Sequence, residues 1–405
     1  MSELLKIALF TYSTKPRGGV VHTLELGEAL QAKGHQVCIY ALNKDKVGFH
    51  RPLNCPHKLV PTQPAIDRQL LLTRKQKYFN NEAVKNDILD PVDRLIKQRI
   101  QEFIDYLSQE TTTYDVYHSQ DCISTNALTF LRDKGLISRF IRTVHHIDEF
   151  NSPYLQECHD RSILEPDLCL CVSKYWQQEL EQQYKIDAPI IINGVDTNKF
   201  DSKLNGESAK LKQRLVIKGS PVYLTIGGIE PRKNSLKLFE AFIEVLKVHP
   251  QAQLIIAGGE TLFDYEPYRL KFFNLAQDYD IEIGESLILP GVLADEDIPV
   301  LYRCADAFVF PSVKEGWGLV LLEAIASGLP IITSNIPPFT EFLDEESALL
   351  VDPNSSKNIA SAMLDVLDKD RSQTLIDNSA DIPSQYSWSK SAQMHLDLYD
   401  KLLLS

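Results

Sequence analysis

Ala305-Asp-Ala-Phe-Val-Phe-Pro-Ser-Val-Lys-Glu-Gly-Trp-Gly-Leu-Val-Leu-Leu-Glu323 reads as a strand, a polar loop and a helix. Ala307 to Phe310 is the apolar strand and Pro311 to Lys314 the loop. Leu319, Val320, Leu322, Ala324 and Ile325 form the apolar positions of a helix that stops near Gly328-Leu-Pro330. Backbone N–H groups near Gly316 to Leu319 open that helix and suit an anion such as a diphosphate. Gly316 and Gly318 let the backbone come close to a ligand, because neither carries a Cβ. Glu315 precedes the helix and Glu323 lies more than a turn inside it. When ionised, both only accept hydrogen bonds, which suits ligands rich in hydroxyls. Taken by itself, the spacing favours the plainer reading, with Glu315 a dipole-favoured carboxylate at a helix start and Glu323 a solvated helix residue, and it is the surrounding sequence that reverses this.

Outward from this stretch, strands and helices alternate through most of the chain, the pattern of parallel sheets covered by helices. The first half has strands at Ile7 to Thr11, Val37 to Ala41, Tyr114 to His118, Phe140 to His146 and Leu168 to Ser173. Its helices include Val20 to Lys33, closed by Gly34, and Lys174 to Tyr184, and Pro189 to Asp196 closes the half. The second half repeats the plan with strands at Val222 to Ile226, Leu254 to Ala257, Leu287 to Leu289 and Ala307 to Phe310. Helices at Leu236 to Val248, Tyr268 to Tyr279 and Asp295 to Cys304 separate them. The polar stretch around Asn205 to Lys218 lacks an apolar period and reads as linker plus entry to the next domain. Residues Ile66 to Leu107 are charged and helical in spacing, with a basic group at Arg68, Arg74, Lys75 and Lys77. A solvated helical excursion is favoured there over peripheral contact with anionic lipid.

At 405 residues the chain fits two domains, expected at 1–200 and 201–388, with a final helix at about 389–403 packing back onto the first. No run approaches a membrane span, and Met-Ser-Glu passes straight into a strand, so a cytoplasmic protein is expected. The seven cysteines, at 38, 55, 122, 158, 169, 171 and 304, include no CxxC pair and argue against a disulfide framework or zinc. Cys38, Cys169, Cys171 and Cys304 read as small core residues. A net charge of −13, with most of the excess carboxylate in the second half, disfavours nucleic acid as a partner.

The block Ala305 to Ser312 with Glu315 to Pro330 resembles the signature of family 4 retaining glycosyltransferases. The resemblance extends over nearly the whole chain through Gly18-Gly19, Gly34-His35, Asn193-Gly-Val-Asp196, Pro290-Gly291, Glu341 and Val351-Asp-Pro353. It implies the GT-B fold: α/β, two doubly wound Rossmann-like domains facing a central cleft. It also implies a glycosyltransferase (EC 2.4, a hexosyltransferase) that draws on a nucleoside-diphosphate sugar. The acceptor is an unidentified small molecule, lipid or glycan, and the oligomeric state is open. By position in the family motif, Glu315 contacts the transferred sugar and Glu323 the nucleotide ribose, with Gly316, Trp317, Gly318 and Leu319 between them at the donor. His145 matches a family histidine that contacts the sugar, and Gly18 and Gly19 match a loop on the acceptor side of the cleft. Backbone groups near Gly291-Val292 are assigned to the base.

A diphosphate leaving group needs fixed cations or a metal. The turn Ile226-Gly-Gly-Ile-Glu-Pro-Arg-Lys233 supplies Arg232 and Lys233. Family members usually place an arginine after the first glycine and a lysine five residues on. Lys233 fits that lysine, whereas the arginine position is Gly228, so Arg232 either supplies the missing charge or is a solvated residue beside a helix start. The set taken as catalytic is thus Glu315, His145 and Lys233. His118 and His146 are weaker candidates, and Asp148 and Glu149 fit either an acceptor contact or an exposed loop. Asp93 with Glu102, and Asp295 with Asp297, read as surface and cap residues rather than a metal site. No cofactor or metal is expected. The family's favoured course is front-face attack without a side-chain nucleophile. A sugar-nucleotide epimerase of GT-B fold and a catalytically silent sugar-nucleotide-binding protein are the alternatives.

Overall fold

The computed structural model describes residues 4–44, 46–63, 91–203, 206–259 and 265–404. The chain divides into two compact units, one of Met1–Ile192 with Trp388–Ser405, the other of Asn193–Ser387.

The first unit runs β1 Lys6–Thr11, α1 Gly18–Ala32, β2 Gln36–Asn43, β3 His57–Pro61, α2 Pro91–Leu107, β4 Val116–Ser119 and α3 Cys122–Asp133. It continues with β5 Ile141–Val144, α4 Pro153–Leu164, β6 Leu168–Cys171, α5 Lys174–Tyr184 and the C-terminal helix Trp388–Leu404. Its strands pair parallel in the order β3-β2-β1-β4-β5-β6. Successive side chains of a strand point to opposite faces, and β1 is apolar on both because both are covered. Ile7 and Leu9 join Leu24 and Leu30 of α1 and Leu396 and Tyr399 of the C-terminal helix. Ala8 and Phe10 join Phe103 of α2 and Leu128 of α3. Three helices start on side-chain caps: Asp121, Ser152 and Ser173 accept from the backbone N–H of Ser124, Leu155 and Trp176.

The second unit runs α6 Glu207–Leu215, β7 Val222–Ile226, α7 Ser235–Val248, β8 Gln253–Ala257, α8 Glu266–Asp278, β9 Leu287–Gly291 and α9 Asp297–Tyr302. After β10 Ala307–Phe310 come α10 Leu319–Ala326, β11 Ile331–Ser334, β12 Leu349–Val351, α11 Ser356–Asp365, α12 Lys369–Ser379 and α13 Ile382–Gln385. The six strands are parallel in the order β12-β11-β10-β7-β8-β9. Phe239 and Phe242 of α7 and Ile359 and Met363 of α11 pack over Tyr223, Leu254 and Val309. In each sheet the strand order reverses at one place, between β1 and β4 and between β7 and β10. At such a point the loops leave the carboxyl ends in opposite directions and open a crevice.

Two expectations need correction. The stretch read as linker contains α6, which holds on through Leu211, buried, and the Arg214–Asp297 ion pair at 2.5 Å. Tertiary contact thus compensates for a weak apolar period. Asp93 is buried and accepts from Ser152 Oγ at 2.6 Å, and Glu102 pairs with buried Arg99 at 2.7 Å, so neither is a surface residue. Asp295 pairs with Lys199 at 2.7 Å. The helix over Ile66 to Leu107 is seen as α2 from Pro91 on; its earlier part, with Arg68, Arg74, Lys75 and Lys77, lies outside the described residues. Among the described residues no helix is long and apolar enough to cross a membrane.

Candidate active site

In the second unit the crevice between β7 and β10 is built around one carboxylate oxygen. Glu315 Oε1 lies 2.6 Å from Lys233 Nζ and 2.7 Å from Arg232 Nη1, and accepts from Ser312 Oγ at 2.9 Å. The side chain is buried, with 8% of the residue exposed. Burial raises the carboxyl pKa, but the neighbouring Arg232 and Lys233 charges and the hydrogen bonds outweigh it, and the result is about 2. Burial pulls the Lys233 ammonium down from its usual range, and Glu315 opposes that pull. The Lys233 ammonium also stands 4.6 Å from the centroid of the Phe310 ring.

The loops that carry these groups are tied together. Val313 N–H donates to Arg232 O at 3.0 Å, and Asn234 Nδ2 donates to Pro311 O and Pro353 O at 3.0 and 2.6 Å. Arg232 Nη1 also reaches Lys314 O at 3.3 Å. The sequence-level pairing of Arg232 with Lys233 is therefore seen in space, with Glu315 as their common partner.

Gly228 sits at φ +75°, where a Cβ would come within 2.8 Å of Gly259 O. Gly258, at φ +130°, would in turn press a Cβ to within 2.6 Å of Gly228 N. Two turns, after β7 and after β8, touch backbone to backbone, and an arginine at 228 has no room. The guanidinium that reaches Glu315 comes from Arg232 instead. Val292 lies beside this contact, since a Cβ on Gly259 would come within 2.6 Å of its Cγ2, and it is exposed.

Gly318 takes φ +113° at the start of α10, and Leu319 begins the helix. Glu323, half-buried on α10, accepts from Tyr302 Oη at 2.8 Å. Burial, then Glu323, drives the Tyr302 hydroxyl well above its usual pKa, so it stays a donor. Trp317, grouped with the donor residues, is buried against Phe342 and Tyr386 with ring centroids 5.0 and 5.3 Å away. Its ring braces the loop. Gly316, half-buried, lies between Glu315 and Trp317.

In the first unit the corresponding crevice, between β1 and β4, holds Gly18, Gly19 and His145. A Cβ on Gly19 would meet the His145 ring at 3.5 Å, whereas Gly18 has open space. His145 Nε2 stands 3.1 Å from Gln120 Oε1, Gln120 Nε2 stands 3.2 Å from His118 Nε2, and His118 Nδ1 stands 2.7 Å from Tyr399 Oη. With the amide donating to His118, its oxygen accepts from His145, so His145 carries its proton on Nε2. Burial and then the nearby His22 hold the His145 pKa well below its usual value, so its ring is neutral near pH 7. His118 is fully buried behind it, and His146 pairs with Asp148 at 3.0 Å. Sequence reading passed over Gln120 and Tyr302. Gln120 follows a strand end by one residue, which was a usable signal, but Tyr302 sits in an apolar helix and gave none.

The description "Glycosyl transferases group 1" matches residues 207–381, and "Glycosyltransferase Family 4" matches residues 16–199. A D-inositol 3-phosphate glycosyltransferase of Corynebacterium kroppenstedtii is 24% identical over 350 residues, covering 79% of this chain and 76% of that protein. An uncharacterized glycosyltransferase of Methanocaldococcus jannaschii is 24% identical over 98% of both chains. Among solved structures, the sucrose-phosphate synthase of Thermosynechococcus elongatus superposes with a TM-score of 0.74 at 21% identity over 99% of both chains. The Anabaena protein HepE, solved with UDP and glucose, gives 0.74 at 18% identity, covering 98% of this chain and 100% of that one. At such identities these structures establish a shared GT-B fold of two Rossmann-like domains.

Proposed function

The chain belongs to the family 4, group 1 glycosyltransferases, and from that membership we propose that it is a retaining, metal-independent hexosyltransferase acting from a nucleoside-diphosphate sugar. The observation that carries the reading is the convergence of Arg232, Lys233 and Ser312 on Glu315 at the crevice between β7 and β10. Two cations held in place by a buried carboxylate need no rearrangement to meet a diphosphate, which is where electrostatic catalysis gains most.

In this reading Lys233 and Arg232 face the diphosphate, Glu315 orients hydroxyls of the transferred sugar, and Glu323, steadied by Tyr302, binds the ribose. His145, neutral with its proton on Nε2, offers Nδ1 to a sugar hydroxyl. The bond from the anomeric carbon to the diphosphate oxygen breaks with its electron pair going to the diphosphate. The acceptor hydroxyl bonds to that carbon on the same face, and its proton passes to a diphosphate oxygen. No side chain forms a covalent bond in this course. The acceptor is a small molecule, lipid or glycan, and the seven free cysteines fit action in a reducing cytoplasm.

The test is a thermal-shift screen of UDP-, GDP- and ADP-sugars followed by product analysis. A donor at a hundred times its dissociation constant should stabilise the protein by about 2.7 kcal/mol. Transfer to an acceptor supports the reading. An isomerised donor points to epimerisation, and binding without turnover to a silent protein.

A further inference from the structure

Gln120 joins two histidines through a single amide. Its backbone N–H donates to Phe10 O at 3.1 Å, which fixes the residue just past β4, beside β1. Its side chain is buried between two rings, with His145 Nε2 3.1 Å from Oε1 and His118 Nε2 3.2 Å from Nε2. An amide donates at one end and accepts at the other, so of the two ring nitrogens facing it one carries a proton and the other is bare. The tautomers of His145 and His118 are therefore opposite at Nε2, and setting one sets the other.

Of the two rings, His118 is the one the core holds. It is fully buried on β4, with Thr143 Oγ1 of β5 2.8 Å from Nε2 and Tyr399 Oη of the C-terminal helix 2.7 Å from Nδ1. Since the Gln120 amide donates to Nε2, the His118 proton sits on Nδ1 and is donated to Tyr399 Oη. Burial holds the Tyr399 phenol well above its usual pKa, so it stays neutral. His395, one turn before Tyr399, stands outside this chain of contacts: its Nδ1 donates to Ser391 O at 2.8 Å, and its ring centroid lies 5.5 Å from that of His118.

We infer that Tyr399 is a positioning residue for the proposed transfer: through His118 and Gln120 it sets the tautomer of His145, leaving Nδ1 of that ring bare for a sugar hydroxyl. Removing Tyr399 Oη would strand the His118 Nδ1–H without an acceptor, and an orphaned buried N–H is the rarer kind of unpaired group in folded proteins. Moved to Nε2, the same proton meets Thr143 Oγ1 and, once the amide turns, Gln120 Oε1. The turned amide then donates to His145 Nε2, and the His145 proton passes to Nδ1. Each ring keeps one proton, so the change is one of tautomer and not of charge. The functional half of the inference rests on the glycosyltransferase reading, whereas the coupling of the two tautomers does not.

The experiment is long-range proton–nitrogen NMR on the full chain, isotope-labelled at histidine, with signals assigned by single histidine substitutions. It is run near pH 7, where burial keeps both rings neutral. Wild type should show His145 protonated at Nε2 and His118 at Nδ1. Tyr399→Phe, which keeps the ring in the core, should exchange them, with His118 protonated at Nε2 and His145 at Nδ1. In a Gln120→Met background, where the link is broken, Tyr399→Phe should leave His145 unmoved. The same Nε2 state in both rings of wild type, or a His145 tautomer that Tyr399→Phe does not change while Gln120 is present, overturns the inference. A merely structural Tyr399 would lower the melting temperature and leave His145 alone. In a transfer assay Tyr399→Phe should lower kcat about fivefold, the order of one hydrogen bond, with affinity for UDP unchanged. An unaltered kcat beside an exchanged tautomer overturns the positioning role. The tautomers are read without turnover, so absence of transfer by wild type refutes the enzymatic reading and leaves the coupling standing.

Discussion

Lys233 Nζ lies 2.6 Å from Glu315 Oε1, eighty-two positions away in the chain, and Arg232 holds the same oxygen at 2.7 Å. The link joins the turn after β7 to the loop after β10, so it does structural work as well as placing charge. Lys233→Ala leaves Arg232 and Ser312 on the carboxylate and should cost less than the ~3–5 kcal/mol of a lone broken buried pair. Donor binding should weaken by about 1.5–3 kcal/mol, the range of a charge-assisted contact. Calorimetry with a nucleoside-diphosphate sugar checks this, and unchanged affinity would remove Lys233 from the donor site.

Gly228 marks where this chain departs from the usual family pattern. Its φ of +75° and the 2.8 Å approach to Gly259 O leave no room for a side chain. Gly228→Ala should lose at least the ~1–2 kcal/mol of forcing an L-residue into left-handed backbone, with the collision added. A melting temperature equal to wild type would mean that the two turns do not touch in solution.

Tyr302 Oη donates to Glu323 Oε2 at 2.8 Å from within α9. Tyr302→Phe should leave the fold nearly intact and lower affinity for bare nucleoside diphosphate several-fold, as for the loss of about 1 kcal/mol. Glu323→Ala should lower it further, and Glu315→Gln should instead lower turnover. Equal nucleotide affinity in wild type and Glu323→Ala contradicts the ribose assignment.

Acid should weaken the two units in different windows. Burial lowers the pKa of His118 and His145 well below the usual value and that of His395 to about 3. A histidine lowered on folding contributes stability above its unfolded pKa near 6.5 and loses it as pH falls toward the folded value. Glu315, at about 2 when folded, keeps its contribution until pH falls below about 4.5 and loses it toward 2. Urea unfolding followed between pH 7 and pH 5 should show falling stability, and His395→Phe should reduce the slope by an amount that grows as pH falls, toward about 1.36 kcal/mol per pH unit near pH 5, one proton's worth. An unchanged slope would show that His395 charges in the folded state.

Much of this was legible in the sequence because the strands are buried on both faces and read as continuous apolar runs. Val222–Ile226 and Ala307–Phe310 could be delimited from composition alone. The helix α6 was not legible, because its stability comes from Leu211 and Arg214 meeting distant partners. In the site, local motifs placed Glu315 and Lys233 on loops at strand ends and Glu323 inside the helix that follows. What they could not supply was that Arg232 and Lys233 share a single carboxylate oxygen, a relation between residues far apart in the chain. The burial of Trp317 was hidden for the same reason: a tryptophan between glycines looks exposed until Phe342 and Tyr386 fold onto it.

Transfer should proceed without a divalent metal and with the anomeric configuration kept. On the proposed reading the two cations fixed on Glu315, Arg232 and Lys233, offset the growing charge on the leaving diphosphate that a metal would otherwise neutralise. Their partner Glu315 belongs to the motif that resembles retaining enzymes. Activity should therefore survive excess EDTA, and proton NMR of the product from an α-linked donor should show an α-glycoside. If the leaving phosphate itself takes the acceptor proton, Lys233→Ala should depress turnover more than it depresses donor affinity, because that phosphate is most charged in the transition state. Activity lost on chelation and restored by magnesium or manganese defeats the metal-free course. A β-linked product defeats same-face attack, even with the donor site correctly assigned.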